Sequence, residues 1–324
     1  MEKYILCESR LDFKYKMIFS KFDKDFVIIE GGFIKLMIVL IRKKSFYHIR
    51  YIKYRGKIVT VLSYLIIAIL AKLSGSKIIW SCHNIYEHNF NSKRYNDFLR
   101  ILLAKISYKI VVFHQDLKPY LPKSSEQKIY VASFGNYKEF IEKQTEQNKE
   151  FQQQYKNWLN LQNINSPDLV SISAAKSNSL DYFMTKLNDN YNFLVIAPNV
   201  PFNINLESNN IFIYNNSFVK SEIKNILRNS KNLIGIITHN NISVPTSIYL
   251  FASYGVPVIV IDINPLNSMV KYFGIGEIVK TQNDINLAIK KIKKNYNSYQ
   301  IKCEEFISIN SWDNSRETHK SIFK

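Results

Sequence analysis

Short apolar runs alternate along the chain with longer amphipathic stretches. In the first half the runs Lys3–Cys7, Phe26–Glu30, Ser45–Arg50, Lys77–Ser81, Lys109–Phe113 and Lys128–Ala132 read as strands. In the second half the same reading picks out Leu169–Ser173, Phe193–Ala197, Ile211–Tyr214, Leu233–Ile237 and Val258–Ile261. Helices are predicted over Lys57–Leu73 and Lys93–Ser107. Strands interleaved with helices imply parallel α/β layers. A polar stretch, Glu142–Tyr155, reads as an exposed helix between the two series and sets a domain change near residues 150–165. The expected division is a first domain over 1–155, joined by a closing helix over 305–324, and a second domain over 156–304. Ser311-Trp312 opens that last helix. No solenoid-type repeat is present.

Composition narrows the picture. A length of 324 residues suits two domains, and 46% hydrophobic residues supports a core in each. Cys7, Cys82 and Cys303 lie far apart, which fits neither a zinc site nor a disulfide framework and implies a reducing compartment. The first residues lack the apolar core of a signal peptide, so a cytoplasmic location is expected. The longest apolar stretch, Ile58–Ala71, falls short of the ~20 residues that cross a bilayer and suits a buried or membrane-surface helix. The net charge of +18 is uneven. Residues 1–150 carry 27 Lys+Arg against 14 Asp+Glu, and the remainder 17 against 12. A basic first half suits an anionic partner such as inner-leaflet lipid or a lipid pyrophosphate, although Lys- and Asn-rich drift gives the same count. No zinc finger, RNA-recognition signature or compact basic motif points to a specific nucleic acid.

The segment from Val244 to Val260 carries the clearest local chemistry. Pro245 suits a first helical turn, Thr246 and Ser247 suit the cap, and Gly255 suits the stop before the strand at Val258. A helix start with small hydroxyl residues can receive a phosphate, because its N–H groups are unpaired and its dipole is positive there. An ordinary helix–strand unit has the same pattern.

Ser217-Phe218-Val219, Asn229-Ser230-Lys231-Asn232, the run Gly255-Val256-Pro257-Val258-Ile259, Gly274-Ile275-Gly276, the helix Asp284–Lys294 and the late Trp312 resemble, in order and spacing, the donor half of GT-B glycosyltransferases. The likeness is to bacterial capsular, exopolysaccharide and O-antigen sugar transferases of the family 4 type. In the first half Tyr47-His48-Ile49-Arg50-Tyr51 resembles their strand-end His motif. Trp80-Ser81-Cys82-His83-Asn84, continuing to His88, is similar to their Trp-Thr-x-His-Asn segment, and Ser133-Phe134-Gly135-Asn136-Tyr137 to a Pro-His-Gly-x-Tyr turn. The Glu-x7-Glu pair of retaining members is missing, since Ile242 and Leu250 stand in those places. The usual glycine-rich first loop and the Gly-x4-Lys-Gly segment are missing too.

The resemblance implies two Rossmann-like domains facing across a cleft, with the C-terminal helix crossing back to the first. It implies metal-independent sugar transfer from a nucleotide-sugar, with UDP favoured over GDP, to a lipid-linked glycan at the cytoplasmic membrane face. No cofactor is expected. Donor contacts fall to Lys176, Ser217, Phe218, His239, Pro245, Thr246 and Ser247. Acceptor contacts fall to His48, Arg50, Tyr51, Asn84 and His114. His83, His88 and Glu87 are the candidate catalytic groups. In an inverting enzyme one of them takes the acceptor proton; in a retaining one His83 orients the acceptor. His83 and His88 also suit ordinary core or surface positions, and their spacing does not suit a metal. A GT-B-fold binding subunit without catalysis is the alternative.

Overall fold

The fold is a computed structural model that describes residues 3–22, 26–86, 92–138, 141, 153, 157–158, 166–172, 186–187, 190–197, 210–214, 220–239 and 241–324. It divides into two units. Unit 1 is Met1–Gly135 with Asn241–Val244 and Ser311–Lys324; unit 2 is Asn136–Asn240 with Pro245–Asn310. The sequence placed the division about twenty residues later, in the polar stretch, most of which lies outside the described residues.

Unit 1 contains β1 (Lys3–Glu8), α1 (Phe13–Phe19), β2 (Phe26–Gly31), α2 (Phe33–Arg42), β3 (Ser45–Ile49), α3 (Lys57–Leu73), β4 (Lys77–Cys82), α4 (Lys93–Ile106), β5 (Lys109–Val112) and β6 (Ile129–Val131). Its sheet runs β2-β1-β3-β4-β5-β6, every neighbour pair parallel. Central strands are apolar on both faces, as helices on both sides require. Ile5, Leu6, Ile79, Ile110, Val111 and Val112 are fully buried. Register sets Cys7 beside His48, and Ile49 beside Trp80. Helices α1 and α2 were not read from the sequence. Asp12 caps α1, its carboxylate accepting from Tyr15 N–H at 3.1 Å.

Unit 2 contains β7 (Leu169–Ile172), β8 (Phe193–Ile196), β9 (Ile211–Tyr214), α5 (Lys220–Asn229), β10 (Ile234–Ile237), α6 (Thr246–Ser253), β11 (Val258–Ile261), α7 (Leu266–Phe273), β12 (Gly276–Val279), α8 (Ile285–Lys294) and α9 (Tyr296–Ile309). Its parallel sheet runs β12-β11-β10-β7-β8-β9. That is the doubly wound order, with winding reversing between β7 and β10. Gly235 on β10 lets α6 lie close: a Cβ there would come within 2.7 Å of the Phe251 ring. Tyr254 ends α6 and Gly255 follows at φ +67°, the left-handed C′ position expected of glycine.

The last helix, α10 (Trp312–Ile322), belongs to unit 1 and packs on α1. Ser311 caps it by accepting from Asn314 N–H at 3.1 Å. Trp312 rests on Gly135, where an added Cβ would lie 2.5 Å from both the Trp312 backbone nitrogen and its ring. Its ring also meets Phe13 edge-on at 5.8 Å.

Candidate active site

The winding of the first sheet reverses between β1 and β3, and open parallel sheets place ligand sites at the carboxyl ends of strands at such a point. Residues following β1, β3 and β4 meet there. His83 follows β4 and keeps 9% of its exposure, whereas His48, inside β3, keeps 1%. Of these two, His83 is the less deeply buried. Its ring stacks between Tyr51, at 4.8 Å, and Phe113, at 4.4 Å, with interplanar angles of 21° and 13°. Phe134 stacks on Phe113 at 4.3 Å. The Lys14 ammonium lies 5.3 Å from the Tyr51 and Phe134 ring centroids.

A buried hydrogen-bond chain fixes this histidine. His83 Nε2 pairs with Tyr15 OH at 2.7 Å. Tyr15 also meets the Ser81 hydroxyl, and Ser81 Oγ pairs with His48 Nε2 at 2.9 Å. The Tyr51 hydroxyl donates to Asp12. His319, from α10, lies below the chain with Nδ1 2.8 Å from Ser315 O. Burial, then the positive charges of Lys14 and neighbouring groups, hold His83 well below the ordinary imidazole range. Burial and Arg50 do the same to His48, and burial, opposed by the hydrogen bond to Ser315 O, pushes His319 down to about 4. Burial also lowers Lys14, with Asp12 opposing. Burial raises the Tyr15 and Tyr51 phenols, so both stay protonated donors.

Arg50 is 3% exposed, and its Nη2 donates to the carbonyls of Glu8, Ser9 and Arg10, at 2.9, 2.9 and 3.3 Å. It shapes the loop after β1, in which Ser9 takes φ +67°. Asn84 bridges Ser243, and Ile85 N–H donates to Ile242 O at 3.0 Å, so the segment after β4 is pinned within unit 1. His114 caps the short helix after β5, its Nδ1 accepting from Asp116 N–H at 3.2 Å. Burial lowers its pKa and Asp116 opposes. Glu87 and His88 lie outside the described residues.

In unit 2 the reversal falls between β7 and β10. His239 stands there, half-buried, two residues past the end of β10. Helix α6 starts at Thr246 behind Pro245, which takes φ −70° and supplies no side-chain cap to the first N–H groups. Thr246 and Ser247 are half-buried while Ile248 and Phe251 are fully buried, so the helix start stays accessible and its body is core. Lys176, Ser217 and Phe218 lie outside the described residues.

No family model matches the chain, and no curated protein matches it by sequence. Solved structures match over its whole length. HepE from Anabaena, in complex with UDP-glucose, superposes at a TM-score of 0.66 with 8% identity, covering 99% of each chain. A glycosyltransferase from Rickettsia africae gives 0.63 at 14% identity, covering 100% of this chain and 97% of that one. UDP-GlcNAc 2-epimerase from Neisseria meningitidis, bound to UDP-GlcNAc, gives 0.59 at 11%, covering 99% of each. The chain has the GT-B fold.

Sequence reading missed Tyr15, Asp12, Lys14, Ser81 and His319. Asp12 followed by apolar or aromatic residues at 15, 18, 19 and 22 is a cap with a helical stripe, and that signal would have found α1. Nothing in the order of residues brings His319 to His48; they lie at opposite ends of the chain.

Proposed function

We propose that the protein transfers a sugar from a nucleotide-sugar, a UDP-sugar foremost, to a hydroxyl of a lipid-linked glycan in surface polysaccharide synthesis at the inner face of a bacterial membrane. The observation that carries the reading is the whole-length likeness to GT-B structures, among them proteins crystallised with UDP-glucose and UDP-GlcNAc. In the transfer the bond between the anomeric carbon and the diphosphate breaks, and a bond to the acceptor oxygen forms. Charge grows on the β-phosphate oxygens as the bond breaks. The N–H groups at Thr246 and Ser247 are suited to that charge without a metal, with Lys176 as the cationic arm. His239, Ser217 and Phe218 are assigned to the donor.

His83 is assigned to the acceptor hydroxyl, with Asn84, Tyr51 and His114 beside it and Glu87 and His88 as neighbours in sequence. Its lowered pKa keeps it neutral at ordinary pH. The direction of the buried chain then sets its role. If Nε2 carries the hydrogen and donates to Tyr15, Nδ1 has a lone pair and takes the acceptor proton. If Tyr15 donates to Nε2, Nδ1–H instead orients the acceptor. His48 and Arg50 act behind the contact surface, through Ser81 and the β1 loop.

The test is release of UDP from UDP-sugars by purified protein, with and without a lipid-linked acceptor. Acceptor-dependent release, reduced in His83→Ala while donor affinity is kept and in Lys176→Ala with donor affinity weakened, supports the assignment. Unchanged transfer in both variants overturns it. A second reading, binding without transfer, draws on Ile242 and Leu250, apolar where related enzymes place glutamates. Donor binding with no turnover would favour it.

A further inference from the structure

Helix α3 turns its more apolar side outward. Its buried stripe is Thr60, Ser63, Tyr64, Ile67 and Ala71. The hydroxyls in that stripe are satisfied locally. Thr60 Oγ1 accepts from Arg55 N–H at 3.0 Å, Tyr64 OH accepts from Lys53 N–H at 3.2 Å, and Ser63 donates to Val59 O at 2.7 Å. The outward stripe is Ile58, Leu62, Leu65, Ile66, Ile69 and Leu73, with Ile58 75% and Leu73 79% exposed. A helix that merely covered its sheet would show the opposite pattern. Helix α2 packs beside α3 and adds exposed Ile34, Ile38 and Ile41, again at helical spacing. Exposed apolar stripes on two helices that pack on each other are of a kind that marks an interaction surface.

The chain segment that builds this patch carries charge of one sign. Between Glu30 and Glu87 the chain has no carboxylate and ten lysines and arginines. Lys35, Arg42, Lys44, Lys57 and Lys72 are exposed or at the ends of these two helices, and none forms an ion pair with a described carboxylate. Among the described residues no helix is long and apolar enough to cross a membrane.

We propose that the α2–α3 face docks on the surface of an anionic lipid bilayer. The isoleucine and leucine stripes enter the headgroup–acyl boundary, and the surrounding cations meet the lipid phosphates. A second copy is disfavoured as occupant, because self-pairing would press the lysines and arginines of these two helices against their own copies. The proposal deepens the membrane-borne acceptor of the preceding section and rests on that reading for its purpose, while the exposed stripes and the charge stand independently.

The full-length protein is sedimented with phosphatidylcholine vesicles and with vesicles that also contain phosphatidylglycerol, in the absence of any nucleotide-sugar. Binding should be about tenfold or more tighter on the anionic vesicles and should weaken as salt rises. Leu62→Glu/Ile69→Glu should lose about tenfold or more in affinity with an unchanged thermal melt. Ile34→Glu/Ile41→Glu on α2 should do the same and serves where the first pair does not fold. Leu287→Glu/Ile301→Glu, exposed apolar residues of unit 2, should bind as the unaltered protein does. Equal binding to both vesicle types, or full binding by both stripe variants, overturns the proposal. So does a dimer in solution that the stripe variants dissociate, which would give the face to a second copy. Vesicle binding is read without sugar transfer, so its failure leaves the transfer reading standing, and loss of transfer leaves vesicle binding standing.

Discussion

Three histidines buried neutral under the first sheet should make unit 1 acid-sensitive. His319 is fully buried; burial, opposed by the hydrogen bond to the Ser315 carbonyl, drops its pKa from 6.5 to about 4. A folded pKa below the unfolded one means that the unfolded chain binds the proton first. The stability contribution is therefore complete above pH 6.5 and is lost as pH falls from 6.5 to about 4. At ~1.4 kcal/mol for each tenfold, His319 alone accounts for roughly 3 kcal/mol. His48 and His83 are lowered in the same direction and add to the loss. With a urea m-value of about 2–3 kcal/mol/M, the His319 share is about 1 M in the midpoint. Tryptophan fluorescence reports on unit 1 through Trp80 and Trp312 in a Trp158→Phe background, with urea midpoints taken at about pH 7.5 and about pH 4.5. A His319→Phe variant should lose the uptake of about one proton from the pH slope while keeping the remainder. Midpoints equal at the two pH values, or an unchanged slope in the variant, would refute the neutral burial of these side chains.

The Tyr15→Phe variant removes the partner of His83 Nε2 and should lower kcat with little change in donor affinity. Nitrogen-15 NMR of His83 in the unaltered protein should show Nε2 protonated if His83 is the base; a protonated Nδ1 assigns it to orienting the acceptor instead. Gly135→Ala should cost on the order of 2 kcal/mol or more, because the added Cβ meets the Trp312 backbone, which cannot yield as a side chain would; an unchanged melting temperature would contradict that close approach.

The order of residues determined which segments form strands and how the two halves repeat. The strand runs are apolar nearly throughout, and that pattern depends on local sequence alone, so Ile211–Tyr214 and Val258–Ile261 match the structure residue for residue. The sequence also marked Gly135, Trp312 and His83, but not the contacts among them. Tertiary structure decided that Gly135 is small because Trp312 lies on it, and that Arg50 is spent on three loop carbonyls. It decided that His83 is held by Tyr15 and that His48 sits behind it. It also decided which side of α3 faces outward, since an apolar stripe and a Thr/Ser/Tyr stripe can each cover a sheet and only packing chooses between them. Periodicity is set by neighbours in the chain, whereas pairing at a strand end depends on residues far apart in sequence, and no local pattern encodes that meeting.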